Sequence, residues 1–366
     1  MIQSHPMPIL VRLQLALLVT VSLVTPSLSY ANPMVTSDHV QAWVNEYVVP
    51  SYVALHQANQ ALQRQAHQLC DQVSLQALNK MQPYLNQALQ ALAYSQAING
   101  GPVQEQLRNF HLYYWPDRTN LVTKHLSQLL DQPSSLGWQQ YDLSQSSIAI
   151  TGYPALERLL YVPRYRQLVM LGKQGPACRY MVALSDNLLR LTTEITDAWQ
   201  VNWRQQLVGP RDGSSMFKDQ NDKNTFVFTN IDTLLTKIIN QKLAKALTSR
   251  VSSAKPKRLE SWRSSQSVIM LKANAKGLTD SLNLTLKPAL IDANEEAKWD
   301  TIRLKLSFIN QLIEQLPTPL MVSLDEPKYW LATQELRNQF IQLQGLLQEI
   351  YPSLNVQLGF NAYDGD

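Results

Sequence analysis

Glycine is scarce in this chain, with 12 in 366 residues, and so are cysteine, with 2, and histidine, with 6. So little glycine leaves few candidates for tight hairpin turns, which argues against a large β-sandwich or barrel. Charged residues make up 16% of the sequence, a composition that does not describe a charge-driven disordered chain. No two of the histidines (5, 39, 56, 67, 111 and 125) are three or four residues apart. HExxH, CxxC, the P-loop, G-x-S-x-G and the dinucleotide fingerprint are all missing, so standard hydrolytic and nucleotide-binding machinery is not visible. A net charge of +4 is too weak to argue for nucleic acid, and no RRM, KH, zinc-finger or basic-zipper pattern occurs. No apolar run approaches the roughly 20 residues that a membrane-spanning helix needs.

What the chain has is helical periodicity. Leu188, Leu191, Ile195, Ala198, Trp199 and Asn202 fall at steps of three and four, almost all apolar. Val227, Ile231, Leu234, Leu235, Ile238 and Ile239 do the same. Ile302, Leu306, Ile309, Ile313 and Leu316 repeat the pattern up to Pro317 and Pro319. Further helices are expected at about 38–68, 73–98, 102–114, 119–130, 154–160, 258–282, 289–316 and 325–350. The clearest break is Gly209-Pro210-Arg211-Asp212-Gly213-Ser214-Ser215. The expected fold is therefore all-α, with two helical-bundle domains packed side by side: 32–208, a linker at 209–222, and 223–366. A crevice between the bundles is the default ligand site.

Residues 1–31 read as a cleaved signal peptide. Arg12 precedes the apolar run Leu13 to Val24, followed by Pro26 and the small-x-small site Ser29-Tyr30-Ala31. Export to the periplasm means an oxidising compartment, where Cys70 and Cys178 are expected to form one disulfide; the alternative is two separately buried thiols.

Four segments together carry a family resemblance. They are Gly101-Pro102 with Trp115-Pro116-Asp117-Arg118; Gly152-Tyr153-Pro154-Ala155-Leu156-Glu157; Glu260-Ser261-Trp262-Arg263-Ser264-Ser265-Gln266-Ser267; and Gly359-Phe360-Asn361-Ala362-Tyr363-Asp364-Gly365-Asp366. In this order, over essentially the whole mature chain, the sequence resembles the imelysin-like family of bacterial envelope proteins. The resemblance implies two helical bundles, residence in the periplasm or on the envelope, and links to iron regulation or uptake. For some members it also implies a metallopeptidase activity.

The family motif GxHxxE is matched at Gly152 and Glu157, but Pro154 stands at the histidine position. Positions 154 and 157 are helix neighbours, which is why a His/Glu pair there could grip a metal; proline offers no ligand atom. The structural reading makes Gly152 a loop residue, Pro154 a helix start and Glu157 a complement to the helix N-terminus. The functional reading makes Glu157 a ligand-contacting or metal-binding carboxylate. Proline turns Trp115 away from helix and leaves Asp117 to cap the next one; Arg118 is then either a brace to a carboxylate between helices or, in the crevice, a fork that holds Glu157 or a ligand carboxylate. Between Lys237 and Lys276 there are ten basic residues and one acidic residue, Glu260: a solvated face, or a surface for an anionic partner. Glu260 and Arg263 are one turn apart and could pair, with Ser267 on the same face. Asp364 lies in an acidic, aromatic tail expected to dock near the basic second bundle or beside Glu157 and give an oxygen-rich pocket for a hard cation such as ferric iron.

The function expected is that of a non-enzymatic periplasmic binding or uptake accessory protein for iron or another metal, working with envelope iron-uptake components. Its site would be built from Gly152, Glu157, Asp117, Arg118, Glu260, Arg263, Ser267 and Asp364. A metallopeptidase and a binder of an acidic polysaccharide or other small anionic ligand are the alternatives.

Overall fold

The computed structural model describes residues 34–131, 143, 146–209 and 215–358, together with Met1. The leader beyond Met1, most of the Gly/Pro/Ser break and the tail bearing Asp364 fall outside these residues. All regular structure among the described residues is helical. Helix α1 (Ser37–Trp43) runs through a π-helical turn (Val44–Val48) into α2 (Val49–Asp71), and α3 (Leu75–Ser95) follows. The short α4 (Arg108–Leu112) precedes α5 (Leu121–Leu130), α6 (Tyr153–Tyr161) and α7 (Pro163–Val169). Helix α8 (Pro176–Ala198) passes through a second π turn (Trp199–Trp203) into α9 (Arg204–Val208). Beyond the break, α10 (Gln220–Thr236) continues through a third π turn (Lys237–Leu243) into α11 (Ala244–Leu247). Then come α12 (Ser267–Leu284), α13 (Leu286–Asp292), α14 (Glu296–Glu314) and α15 (Pro327–Ile350). None of the described helices is long and apolar enough to cross a membrane.

The periodic apolar residues pack as their spacing requires: Leu188, Leu191, Ile195 and Trp199, the whole 227–239 set and the whole 302–316 set are buried. Helix α2 lies between α3 and α8, α3 packs on α12, α12 on α14, and α14 on α15. The contact of α3 with α12 joins the segments before and after the 209–222 break into one continuous core. Gly277 in α12 makes that approach possible, because a Cβ there would overlap the Tyr94 carbonyl of α3. Nearby, Asn274 Nδ2 donates to the Ala93 carbonyl (2.6 Å) and Trp43 Nε1 donates to Ser281 Oγ (2.6 Å).

Three expected helices have different bounds. The 102–114 segment breaks into short turns and α4, because Gln106 and Leu107 adopt left-handed backbone (φ 53° and 57°). The 258–282 helix begins only at Ser267, after left-handed Ser261 and Ser265 (φ 44° and 60°). The 289–316 helix is two helices divided at Asn294 (φ 58°), a residue type that tolerates this conformation.

Cys70, in the last turn of α2, is disulfide-bonded to Cys178, in the first turn of α8, with Cα atoms 5.6 Å apart. The bond closes a 108-residue separation, and loop-closure entropy for such a length amounts to about 4–5 kcal/mol. Replacing both cysteines by serine is expected to lower unfolding stability by about 4 kcal/mol, read from urea midpoints. An unchanged midpoint would show that the staple contributes nothing.

Candidate functional site

Helix α6 starts at Gly152, whose backbone is extended, with Pro154 in the first turn, where its fixed φ and missing N–H cost nothing. A side chain at 152 would overlap the carbonyl oxygens of His111 and Leu112, so glycine lets α6 sit against the end of α4. This contact sets α6 beside the irregular segment 113–118, which contains a cis Trp115–Pro116 bond. Asp117 in that segment caps α5: its Oδ1 accepts from the Leu121 N–H (2.7 Å) and its Oδ2 from the Val122 N–H (3.3 Å). The same carboxylate accepts from Arg158 Nη2 (3.0 Å). Arg158 also donates from Nε to Thr123 Oγ1 (2.9 Å) and from Nη1 to the Pro154 carbonyl (2.8 Å). The arginine brace foreseen for Arg118 is thus made by Arg158, while Arg118 itself is exposed.

The third part is the loop between the Leu259 and Gln266 positions. Its hydrogen bonds from Gln266 N–H to the Ser261 carbonyl (3.1 Å) and from Ser265 N–H to the Trp262 carbonyl (3.3 Å) fold it tightly. Glu260 turns inward and pairs with Lys242 Nζ (2.6 Å), both side chains 3% exposed. Glu260 therefore pairs with Lys242 and not with Arg263. Ser267 Oγ donates to the Glu260 carbonyl (2.6 Å), closing the loop onto α12. Ser264 gives Glu157 two hydrogen bonds, from its N–H (3.0 Å) and its O–H (2.7 Å), both to Oε1. The Arg263 guanidinium lies 4.2 Å from the centre of the Trp262 ring, and Lys257 Nζ is 5.8 Å from it.

These segments enclose a cavity of about 520 Å³. Of the candidate residues, Asp117, Arg118, Glu157 and Arg263 line it. Pro154 lines it too, and sequence reasoning missed Arg158, Gln241, Lys245, Lys257, Arg258 and Trp262 as wall residues. Glu260 and Ser267 are not in the wall, and Gly152 acts behind it, by packing. Six basic side chains thus face two carboxylates. A larger open groove of about 680 Å³ lies between α2, α3, α12 and α14, but its charges are already paired, Lys272 with Glu314 and Lys276 with Asp280.

Burial is the larger influence on Glu157 and pushes its carboxyl above the ordinary range; the Ser264 hydrogen bonds and the Arg263 and Arg158 charges pull it back. Burial and the neighbouring Arg263 charge bring Arg158 down to about 10, against the opposing pull of Asp117 and Glu157. Burial also lowers Arg263.

Residues 48–347 match the peptidase M75 family profile, described as Imelysin. The chain belongs to the imelysin family. Its fold is similar to that of an imelysin-like protein from Psychrobacter arcticum 273-4, with TM-score 0.71 and 19% identity over 89% of this chain and 99% of that one. It is also similar to a protein of Parabacteroides distasonis ATCC 8503 assigned provisionally as an iron-regulated protein A precursor, with TM-score 0.69 and 13% identity over 86% and 94% of the two chains. No curated protein matches the chain.

A peptidase of this family would imply a metal, and the residues here do not fit one. Pro154 fills the histidine position of the imelysin motif, the Asp117 oxygens are taken by Arg158 and the α5 N–H groups, and no three His, Cys, Asp or Glu side chains cluster among the described residues.

Glu157 titration has a defined sign. The folded chain holds this proton more tightly than the unfolded one, so its contribution to stability declines as pH rises from about 4.3 through the raised folded value. Glu157→Gln cannot ionise, so its stability relative to the parent should grow between about pH 4 and about pH 7. Equal urea midpoint differences at both pH values would contradict the burial-dominated carboxyl.

Proposed function

We propose that this imelysin is a non-enzymatic binding protein of the bacterial envelope whose cavity takes an anionic ligand. The observation that carries this reading is the charge of the wall: Arg118, Lys257, Arg258 and Arg263 line it together with Glu157, while Arg158 and Asp117 neutralise each other. A concave wall with excess positive charge concentrates anions and pairs with carboxylate or phosphate groups. Arg263 is the residue best placed to do so, since stacking on Trp262 fixes the plane of its fork. An envelope location is supported by the leader-like start of the sequence and by the precursor status of the Parabacteroides relative. The iron-regulated assignment of that relative supports a connection to iron. In this cavity iron would enter as cargo inside an anionic chelate, because the wall offers few donor atoms to a bare cation.

Titration calorimetry with phosphate, succinate, citrate, ferric citrate and oligogalacturonate tests the reading. At least one anion should bind, more weakly as salt increases. Arg263→Ala should weaken that binding about tenfold or more, as expected for losing a charge-assisted hydrogen bond. An absence of binding by every anion, or binding indifferent to Arg263, would defeat the proposal.

A further inference from the structure

Glu157 is 5% exposed, yet it forms part of the cavity wall. Ser264 holds its Oε1 with both an N–H and an O–H. Oε2 accepts no hydrogen bond among the described residues, and it is not one of the sealed orphan atoms of the core. The Ser264 clamp therefore fixes the carboxyl plane and leaves one oxygen toward the cavity. Arg263, near enough for its charge to act on Glu157, has its own five N–H donors and no hydrogen bond or ion pair among the described residues.

The two groups make opposite demands. Arg263 needs a negative acceptor. Glu157 Oε2 repels a bare anion and needs a neighbour that can donate a hydrogen bond. Simple dicarboxylates satisfy the first and offend the second. An acid that carries a hydroxyl next to its carboxylate satisfies both, since the hydroxyl donates to ionised Glu157 and accepts from protonated Glu157.

We propose that the ligand is a hydroxy acid, its carboxylate on the Arg263 fork and its adjacent hydroxyl on Glu157 Oε2. This rests on the anion-binding reading above and adds the hydroxyl as the feature by which ligands are told apart. A site built to hydrogen-bond a hydroxyl discriminates strongly against an analogue lacking it, because a buried polar group is then left unpaired.

The test is calorimetry of the full chain with citrate and tricarballylate, which differ only in the hydroxyl. Citrate should bind at least about tenfold more tightly. The ratio should fall close to one in Glu157→Ala. Glu157→Gln keeps an oxygen for Ser264 and faces the cavity with an amide N–H that donates to the hydroxyl as a protonated Glu157 would, so it should retain the preference. Equal affinities in the parent chain, or a ratio unchanged in Glu157→Ala, overturn the hydroxyl inference and leave anion binding standing. Succinate or phosphate binding through Arg263 while citrate does not bind overturns it likewise. Failure of all these anions to bind removes both readings. Preference for oligogalacturonate, whose carboxylates neighbour a ring oxygen and not a hydroxyl, overturns the hydroxyl inference and leaves anion binding standing.

Discussion

The Lys242 ammonium holds three oxygens at once: Glu260 Oε2 (2.6 Å), Asn274 Oδ1 (2.6 Å) and Gln96 Oε1 (3.0 Å). These oxygens come from three places, the 259–266 loop, α12 and the residue just past α3, and the lysine itself comes from the third π turn. A charge buried this deeply is tolerated only when it is fully engaged, and burial still pushes Lys242 down to about 8. Glu260 keeps one oxygen, Oε1, with no partner among the described residues, so Lys242 is what makes its burial bearable. Through this pair the loop that bears Trp262, Arg263 and Ser264 is anchored to the core, and the geometry of the cavity follows from the anchor.

The cavity divides labour between charges that hold structure and charges that face outward. Asp117 caps α5 and receives Arg158, and Arg158 in turn spends its remaining donors on Thr123 and Pro154. Among the described residues, Glu157 is half engaged and Arg263 is held by an aromatic face alone. A side chain fixed from behind and unfinished in front is what recognition requires, since its orientation does not have to be established when a ligand arrives.

Much of this was legible in the sequence. The apolar periodicity located the long helices because burial on one face is a property of spacing, and the cysteine pair followed from number and compartment. The segments at 115–118, 152–157 and 260–264, far apart in the chain, line or support one cavity. What spacing could not show is which of two adjacent residues turns inward. Arg158 took the role foreseen for Arg118, and Lys242, one of ten residues in a basic run, left the surface to neutralise Glu260. The irregular stretch at 101–107 and the loop ahead of Ser267 escaped prediction for another reason. Leu107, Gln106, Ser261 and Ser265 are not residues that announce left-handed backbone, and tertiary contacts impose it on them.

Arg158 and Arg263 carry the same charge in a space partly withdrawn from water, and the Arg263 charge makes that of Arg158 harder to keep. Asp117 and Glu157 offset that repulsion, one of them only in part. A negative group arriving beside Arg263 would share the task, so occupancy of the cavity and resistance of the whole fold to heat are coupled through the same two guanidinium groups.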